Sequence, residues 1–296
     1  MSAGDARSSR RSGASDRLSW RETMRILHAT DFSHTAELAR TLAVDIAQRA
    51  AAKLHVVHVQ ERFQEGHGRA YLPAQSEAIN PELQRRLEEE RQAETRGLLD
   101  RLALLGDGGA TTELVWGEPL RELLRLAPDF DLLVMGAHGR TPFDDVFLGG
   151  VAGRVVRRTT TPVLTVRETC PTQQVRRLLV ATDFQEAALG AWTFANWFAE
   201  RARVKLVLAH VEEGPPGEAG SSQARLETLS AGRAERIVVA GGNPIDTLPK
   251  LAAELGADAI VVGMKRHGVL AGLVMGARGD ALVRSSPIPI LSVPAT

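Results

Sequence analysis

The sequence predicts an α/β chain of two tandem domains, each a five-stranded parallel sheet with helices on both faces. Three observations carry that expectation. Residues 25–59 lie over residues 177–211 without a gap, and 17 of the 35 positions are identical. A second gapless match joins residues 136–166 to 263–293, ending TTTPVLTV and SPIPILSV. The offsets, 152 and 127 residues, make each copy a domain-sized unit and not a solenoid repeat. Within each copy, short apolar runs alternate with helical patterns, the order of a parallel sheet covered on both faces.

Taken in order, Arg25 to Thr30 is a mostly apolar run stopped by Asp31, a buried strand and a turn. Ser33 is placed to cap a helix in which Leu38, Leu42 and Ile46 recur beside Ala39, Ala43 and Ala47. Leu54 to Val59 is the second strand. After a long segment containing Gly66 and Gly68, Asn80-Pro81 supplies an N-cap and a favourable first helical residue. That helix carries Leu83, Leu87, Leu98, Leu99, Leu102 and Leu105. Glu113 to Trp116 is the third strand, Pro119 opens a helix with Leu120, Leu123 and Leu124 on one face, and Asp131 to Met135 is the fourth strand. A glycine-rich loop, a helix through Val151, Val155 and Val156, and the strand Pro162 to Val166 close the copy. The second copy repeats the order, with one difference. Where the first has its long helix at 81–105, the second has EEGPPGEAGSSQ and a short helical segment near Ala224 to Leu229. Right-handed crossovers place the functional loops at the carboxyl ends of the strands.

Length and composition set the boundaries. The 296 residues suffice for two cores, and 44% apolar with 24% charged residues is ordinary for a soluble globular chain. A formal net charge of zero and a pI near 7.1 provide no global field for nucleic acid or anionic membrane, so neither is an expected partner. No apolar run approaches the roughly 18–20 residues that span a bilayer. The one cysteine, Cys170, rules out a disulfide scaffold and fits a cytoplasmic location. Residues 1–20 read as a disordered tail, 21–167 as the first domain, 168–174 (ETCPTQQ) as a linker and 175–296 as the second domain.

The chemistry concentrates in the loop Met135-Gly136-Ala137-His138-Gly139-Arg140 and the pair Gly149-Gly150, a Gly-x2-Gly-x9-Gly spacing. Glycine lets a backbone approach a ligand closely, and free amides at a helix start attract anions. Gly149, Gly150 and Val151 are therefore candidate phosphate binders, with Gly136 and Gly139 leaving space for the ribose and phosphate chain.

Together, ATDFS after the first strand, LHVVHV, MGAHGR, the Gly-Gly helix start and TTTPVLTV resemble the universal stress protein family. The resemblance covers nearly all of residues 24–166 and, less fully, 176–294, and implies a tandem-type member. It implies a Rossmann-like, adenine-nucleotide α-hydrolase-like fold, and a regulatory or stress-response role. Its implied ligand is ATP, with or without Mg, in the first domain. Ala29, Thr30 and Asp31 would then lie near adenine and ribose, and Val59 and Met135 against the base. Gly136, His138, Gly139 and Arg140 would line the ribose and phosphates, and Gly149, Gly150 and Val151 would bind phosphate. Family members dimerise through the closing strand, so Pro162–Val166 and Pro289–Val293 should pair into an intramolecular pseudo-dimer.

Both copies depart from the pattern. Gly150 stands where the family carries Ser or Thr, removing one phosphate hydrogen bond worth about 0.5–1.5 kcal/mol. In the second copy Gly263 and Gly276 match, but Arg266 replaces the middle glycine and Ala277 the hydroxyl, which reads as a degenerate site.

Other features admit plainer readings. Asp31 and Asp183 also serve as turn formers. Arg154, Arg157 and Arg158 read as cations favoured near a helix C-terminus. His55 and His58 point to opposite faces of a strand, and no His, Asp and Glu spacing reads as a metal site. Ser33 and His34 form no oriented triad, so the expectation is a binding protein and not an enzyme. Competing readings are an interaction scaffold without nucleotide and a slow ATPase. Trp192 and Trp197 replace Arg40 and Asp45, residue types that imply solvent exposure. The tryptophans are then either an outward contact surface, for example for a homodimer, or covered by the neighbouring domain or linker.

Overall fold

The computed structural model describes residues 23–61, 81–106, 108–138, 150–213, 219–265 and 277–295. The expected tail at 1–20 and the expected cap at Asn80 lie outside them. The first half runs β1 (Arg25–Ala29), α1 (His34–Ala50), β2 (Lys53–Gln60), α2 (Pro81–Leu105), β3 (Thr111–Trp116), α3 (Pro119–Leu126), β4 (Leu132–Gly136), α4 (Gly150–Arg158) and β5 (Val163–Val166). The second runs β6 (Arg177–Ala181), α5 (Glu186–Ala202), β7 (Lys205–Glu212), α6 (Ala219–Ser230), β8 (Arg236–Gly241), α7 (Pro244–Glu254), β9 (Ala259–Met264), α8 (Ala277–Ser285) and β10 (Ile290–Pro294).

The strands form one ten-stranded sheet ordered β3-β2-β1-β4-β5-β10-β9-β6-β7-β8. Every neighbouring pair is parallel except β5–β10, which is antiparallel with Leu164 opposite Leu291. The two apolar closing strands thus cover each other, giving the internal pairing expected of a pseudo-dimer. In each half the chain leaves the first strand in opposite directions, toward β2 and β4 or toward β7 and β9. That reversal opens a crevice at the carboxyl ends of the strands.

Alternation along the strands feeds two buried layers. Ile26, Val56, Val134 and Leu164 pack under α1, while Leu27, Val57, Leu133 and Val163 pack under α3 and α4. Ser33 caps α1 as expected, its hydroxyl accepting from the Ala36 amide at 3.2 Å. The helix stops at Ala51, which adopts the left-handed conformation (φ 47°) and returns its amide to the Ala47 and Gln48 carbonyls.

Two expectations need correction. Trp192 and Trp197 are buried, at 6% and 7% exposure, and offer no outward contact surface. Trp192 Nε1 donates to the Leu229 carbonyl at 3.0 Å, so its cover is α6 of its own half, which is longer than the sequence pattern suggests. Arg201 stacks over Trp197 at 4.6 Å. Asp45 is not a solvent-facing residue either. It accepts the Val175 amide at 3.0 Å and pairs with Arg49, whose guanidinium donates to the Ala202 carbonyl at the end of α5.

His28, at the centre of β1, is fully buried where the second copy carries Val180. Its Nδ1–H donates to the Val134 carbonyl at 3.1 Å, and Nε2 has no partner. Burial, the dominant cause, pushes its pKa from 6.5 down to about 4. The ring is neutral in the fold, whereas the unfolded chain takes up a proton near pH 6.5. Stability is therefore full above pH 6.5 and falls as pH drops toward 4, by about 3 kcal/mol in total. His28→Val is expected to remove most of this loss, flattening stability between about pH 7 and pH 4.5. Urea unfolding at both pH values checks it; an unchanged pH slope in the variant would refute the assignment.

Candidate functional site

The crevice of the first half is a cleft of about 340 Å³ at the carboxyl ends of β1, β2 and β4. Its floor is apolar, made by Val57, Val59, Leu123 and Met135. Its rim is polar, made by Thr30, Asp31, His138 and Arg154, and the first turn of α4 closes one side with Gly150, Val151 and Ala152. Size, apolar lining and a few convergent polar groups are those of a small-molecule site.

Of the residues singled out from sequence, Ala29, Thr30, Asp31, Val59, Met135, Gly136, His138, Gly150 and Val151 all line this cleft. Gly139, Arg140 and Gly149 lie outside the described residues. Asp31 serves two purposes at once: its Oδ1 accepts the Ser33 amide at 3.0 Å, forming the turn, and the residue borders the cleft. The Thr30 side chain is spent locally, accepting the Phe32 amide at 3.0 Å. Thr35 donates to the His138 carbonyl at 2.6 Å and so ties the loop after β4 to the start of α1.

Gly136 needs a different explanation from the one its motif suggests. A Cβ there would lie 2.8 Å from Thr35 Oγ1 and 3.1 Å from the Ala36 amide nitrogen. The space that glycine leaves is taken by the first turn of α1, not by ligand. Gly263 repeats the arrangement more tightly, with a Cβ falling well inside contact with the backbone carbonyl of Ala187. Gly150, by contrast, has nothing within 4 Å of an added Cβ.

Arg154 is not the C-terminal helix cation that the sequence suggests, since only Arg157 and Arg158 lie in the last turn. It sits one turn into α4, Nε donating to the Gly150 carbonyl at 2.6 Å, and borders the cleft beside Glu118. Its i+4 spacing from Gly150 was the available signal. Pro119 and Leu123 of α3 were also missed as cleft residues.

The first cleft offers an apolar floor, the carboxylate of Asp31, the first turn of α4 and the guanidinium of Arg154. Among the described residues no three His, Cys, Asp or Glu side chains gather to hold a metal. The second cleft, about 400 Å³, has the same frame with altered chemistry. Glu212 replaces Gln60, and together with Asp183 and Glu213 it makes the rim acidic, while Lys265 is drawn to Asp183 at 3.9 Å. The counterpart of Arg154 is Ala281.

Fold and clefts define a tandem α/β protein with Rossmann-like halves. The universal stress protein family model matches residues 22–167 and again 174–294, and the chain belongs to that family. A universal stress protein of Methanocaldococcus jannaschii is 29% identical over 153 residues, spanning 48% of this chain and 94% of the relative. One from Thermus aquaticus is 33% identical over 144 residues, covering 48% and 97%. One from Mycobacterium tuberculosis is 25% identical over 201 residues, covering 61% and 67%. A solved universal stress protein structure from Archaeoglobus fulgidus shares the fold with a TM-score of 0.69, at 18% identity, covering 93% of this chain and 100% of that one.

The two glycine contacts predict unequal effects. Gly263→Ala, facing backbone, is expected to cost about 3 kcal/mol or more. Gly136→Ala, facing chiefly a side-chain hydroxyl, should cost about 1–3 kcal/mol. Urea denaturation measures both, and equal or inverted costs would overturn the explanation.

Proposed function

We propose that the first domain, residues 21–167, binds ATP or a related adenine nucleotide, and that the chain acts as a cytoplasmic regulatory or stress-response protein. The observation that carries this reading is the meeting of Asp31, the first turn of α4 and Arg154 around one apolar cleft. Val57, Val59, Leu123 and Met135 would take the base, Thr30 and Asp31 the ribose side. His138, Arg154 and the amides of Gly150 and Val151 would take phosphate, continued by Gly139, Arg140 and Gly149. Mg is assigned no protein ligand. Residues 168–174 act as linker, and residues 175–296 carry the degenerate copy. Its carboxylate-rich rim and missing Arg154 counterpart oppose a polyphosphate, so occupancy is one nucleotide per chain. Hydrolysis is slow or absent, because among the described residues no base is oriented to activate water. No helix among the described residues is long and apolar enough to cross a membrane.

Mass spectrometry of purified protein after denaturation, followed by calorimetry, tests the reading. One adenine nucleotide per chain is expected. Arg154→Ala should weaken binding about 10-fold, as loss of a charge-assisted contact does. Gly150→Ser, entering open space, should tighten binding by about 2–10-fold through one added hydrogen bond. Gly139→Arg should abolish binding with circular dichroism unchanged. Equal binding in both domains, or ligand only in the second, would refute the assignment, and no nucleotide in any preparation would favour the scaffold.

A further inference from the structure

Both halves carry the same four-part column beside the cleft. In the first, Arg101 of α2 stands 3.9 Å over the Phe32 ring, which packs on His58 at 4.6 Å, and His58 Nδ1–H donates to the Thr30 carbonyl at 2.7 Å. In the second, Arg225 of α6 stands 3.8 Å over Phe184, which packs on His210 at 4.7 Å, and His210 donates to the Thr182 carbonyl at 2.8 Å. Phe32 and Phe184 each have φ 60°, in the left-handed region that bulky side chains avoid. Each also gives its amide to the preceding threonine hydroxyl, at 3.0 Å in both halves.

The column survives where its surroundings have changed. The helices that supply the arginines differ in length, 25 residues against 12. Ser33, Thr35 and His28 have become Gln185, Ala187 and Val180. A stack that merely filled space would have no reason to keep a cation, an aromatic in a strained conformation and a histidine in the same order. What the column touches at its inner end is the threonine that lines each cleft, through both its carbonyl and its hydroxyl. A strained backbone persists only where neighbours over-determine it.

We infer that Arg101 and Arg225 are positioning residues: the guanidinium, by its attraction to the phenylalanine face, holds the loop after the first strand in the shape that presents Thr30 and Asp31, or Thr182 and Asp183, to the cleft. For the first domain the consequence for ligand rests on the nucleotide reading above. Arg101 is the one member of its column carried by α2, and most of the helix N-terminal to it is solvent-exposed.

The test uses the full chain with Arg101→Gln, Arg101→Ala and Arg101→Lys, and Arg225→Gln as an internal control. NMR-detected hydrogen exchange at the Phe32 and Ser33 amides should accelerate about 10-fold or more in the Gln and Ala variants, as local opening becomes easier. Lys, which keeps a cation for the ring, should stay within about 3-fold of the parent. Amides of β2 should be unaffected, and calorimetry should show ATP affinity falling about 10-fold in the Gln and Ala variants only. Arg225→Gln should loosen Phe184 and leave ATP binding unchanged. Loop exchange unchanged by Arg101→Gln, or faster only in step with β2, overturns the inference. So does unchanged ATP affinity in a parent protein that binds it. A parent that binds no ATP refutes the nucleotide reading instead, and the exchange data still decide the column.

Discussion

The antiparallel pairing of β5 with β10 is the constraint from which the rest of the molecule follows. It makes one sheet of ten strands from two of five, and its register sets Leu164 against Leu291 at the centre. Each apolar closing strand would otherwise be an open edge. The pairing also brings α1 and α5 together on one face. The copies differ there at equivalent positions. Asp45 and Arg49 form an ion pair, while their counterparts Trp197 and Arg201 stack ring against guanidinium. Arg49 then donates to the carbonyl at the end of α5, and Asp45 holds the amide of Val175, where the linker enters the second half. Fusion in one chain permits this asymmetry, since neither copy needs a surface complementary to itself.

How far the sequence reveals this structure depends on the distance over which each signal acts. Strand and helix order follows from local periodicity, and the repeat made each element visible twice. Asp31, Met135 and Val151 line the cleft because their motifs sit at strand ends and a helix start, where topology sends the backbone to the crevice. Arg154 was missed because its role depends on the rotation of α4, which three neighbouring arginines on one short helix do not reveal. The tryptophans were ambiguous because what covers one of them, the backbone of α6, follows a segment of Gly, Pro and Ser. The arginine–phenylalanine–histidine column was invisible for a related reason. Arg101 and Phe32 are 69 residues apart, and nothing local marks an aromatic at positive φ.

The glycines illustrate how one motif can serve two unrelated demands. Gly136 and Gly263 are required by the approach of a helix to the end of a strand, a constraint present in both halves whatever they bind. They consequently say little about ligand, and their retention in the second copy does not argue for a working site there. The discriminating positions are those free of such packing. Arg154 lines the first cleft and has Ala281 as its counterpart, while Glu212 lines the second where the first copy carries Gln60, so the charge at the two rims differs on the same frame.

That separation of frame from chemistry gives the second copy structural work to do whatever its cleft binds. Its strand β10 closes the edge of the first sheet, its helix end accepts Arg49, and its own column keeps the loop at Asp183 in the same shape as its partner. Its cleft keeps the form of the first, with Asp183, Glu212 and Glu213 in its lining. The two copies differ at the rim of the crevice, where a side chain can change without disturbing the close contacts beneath it.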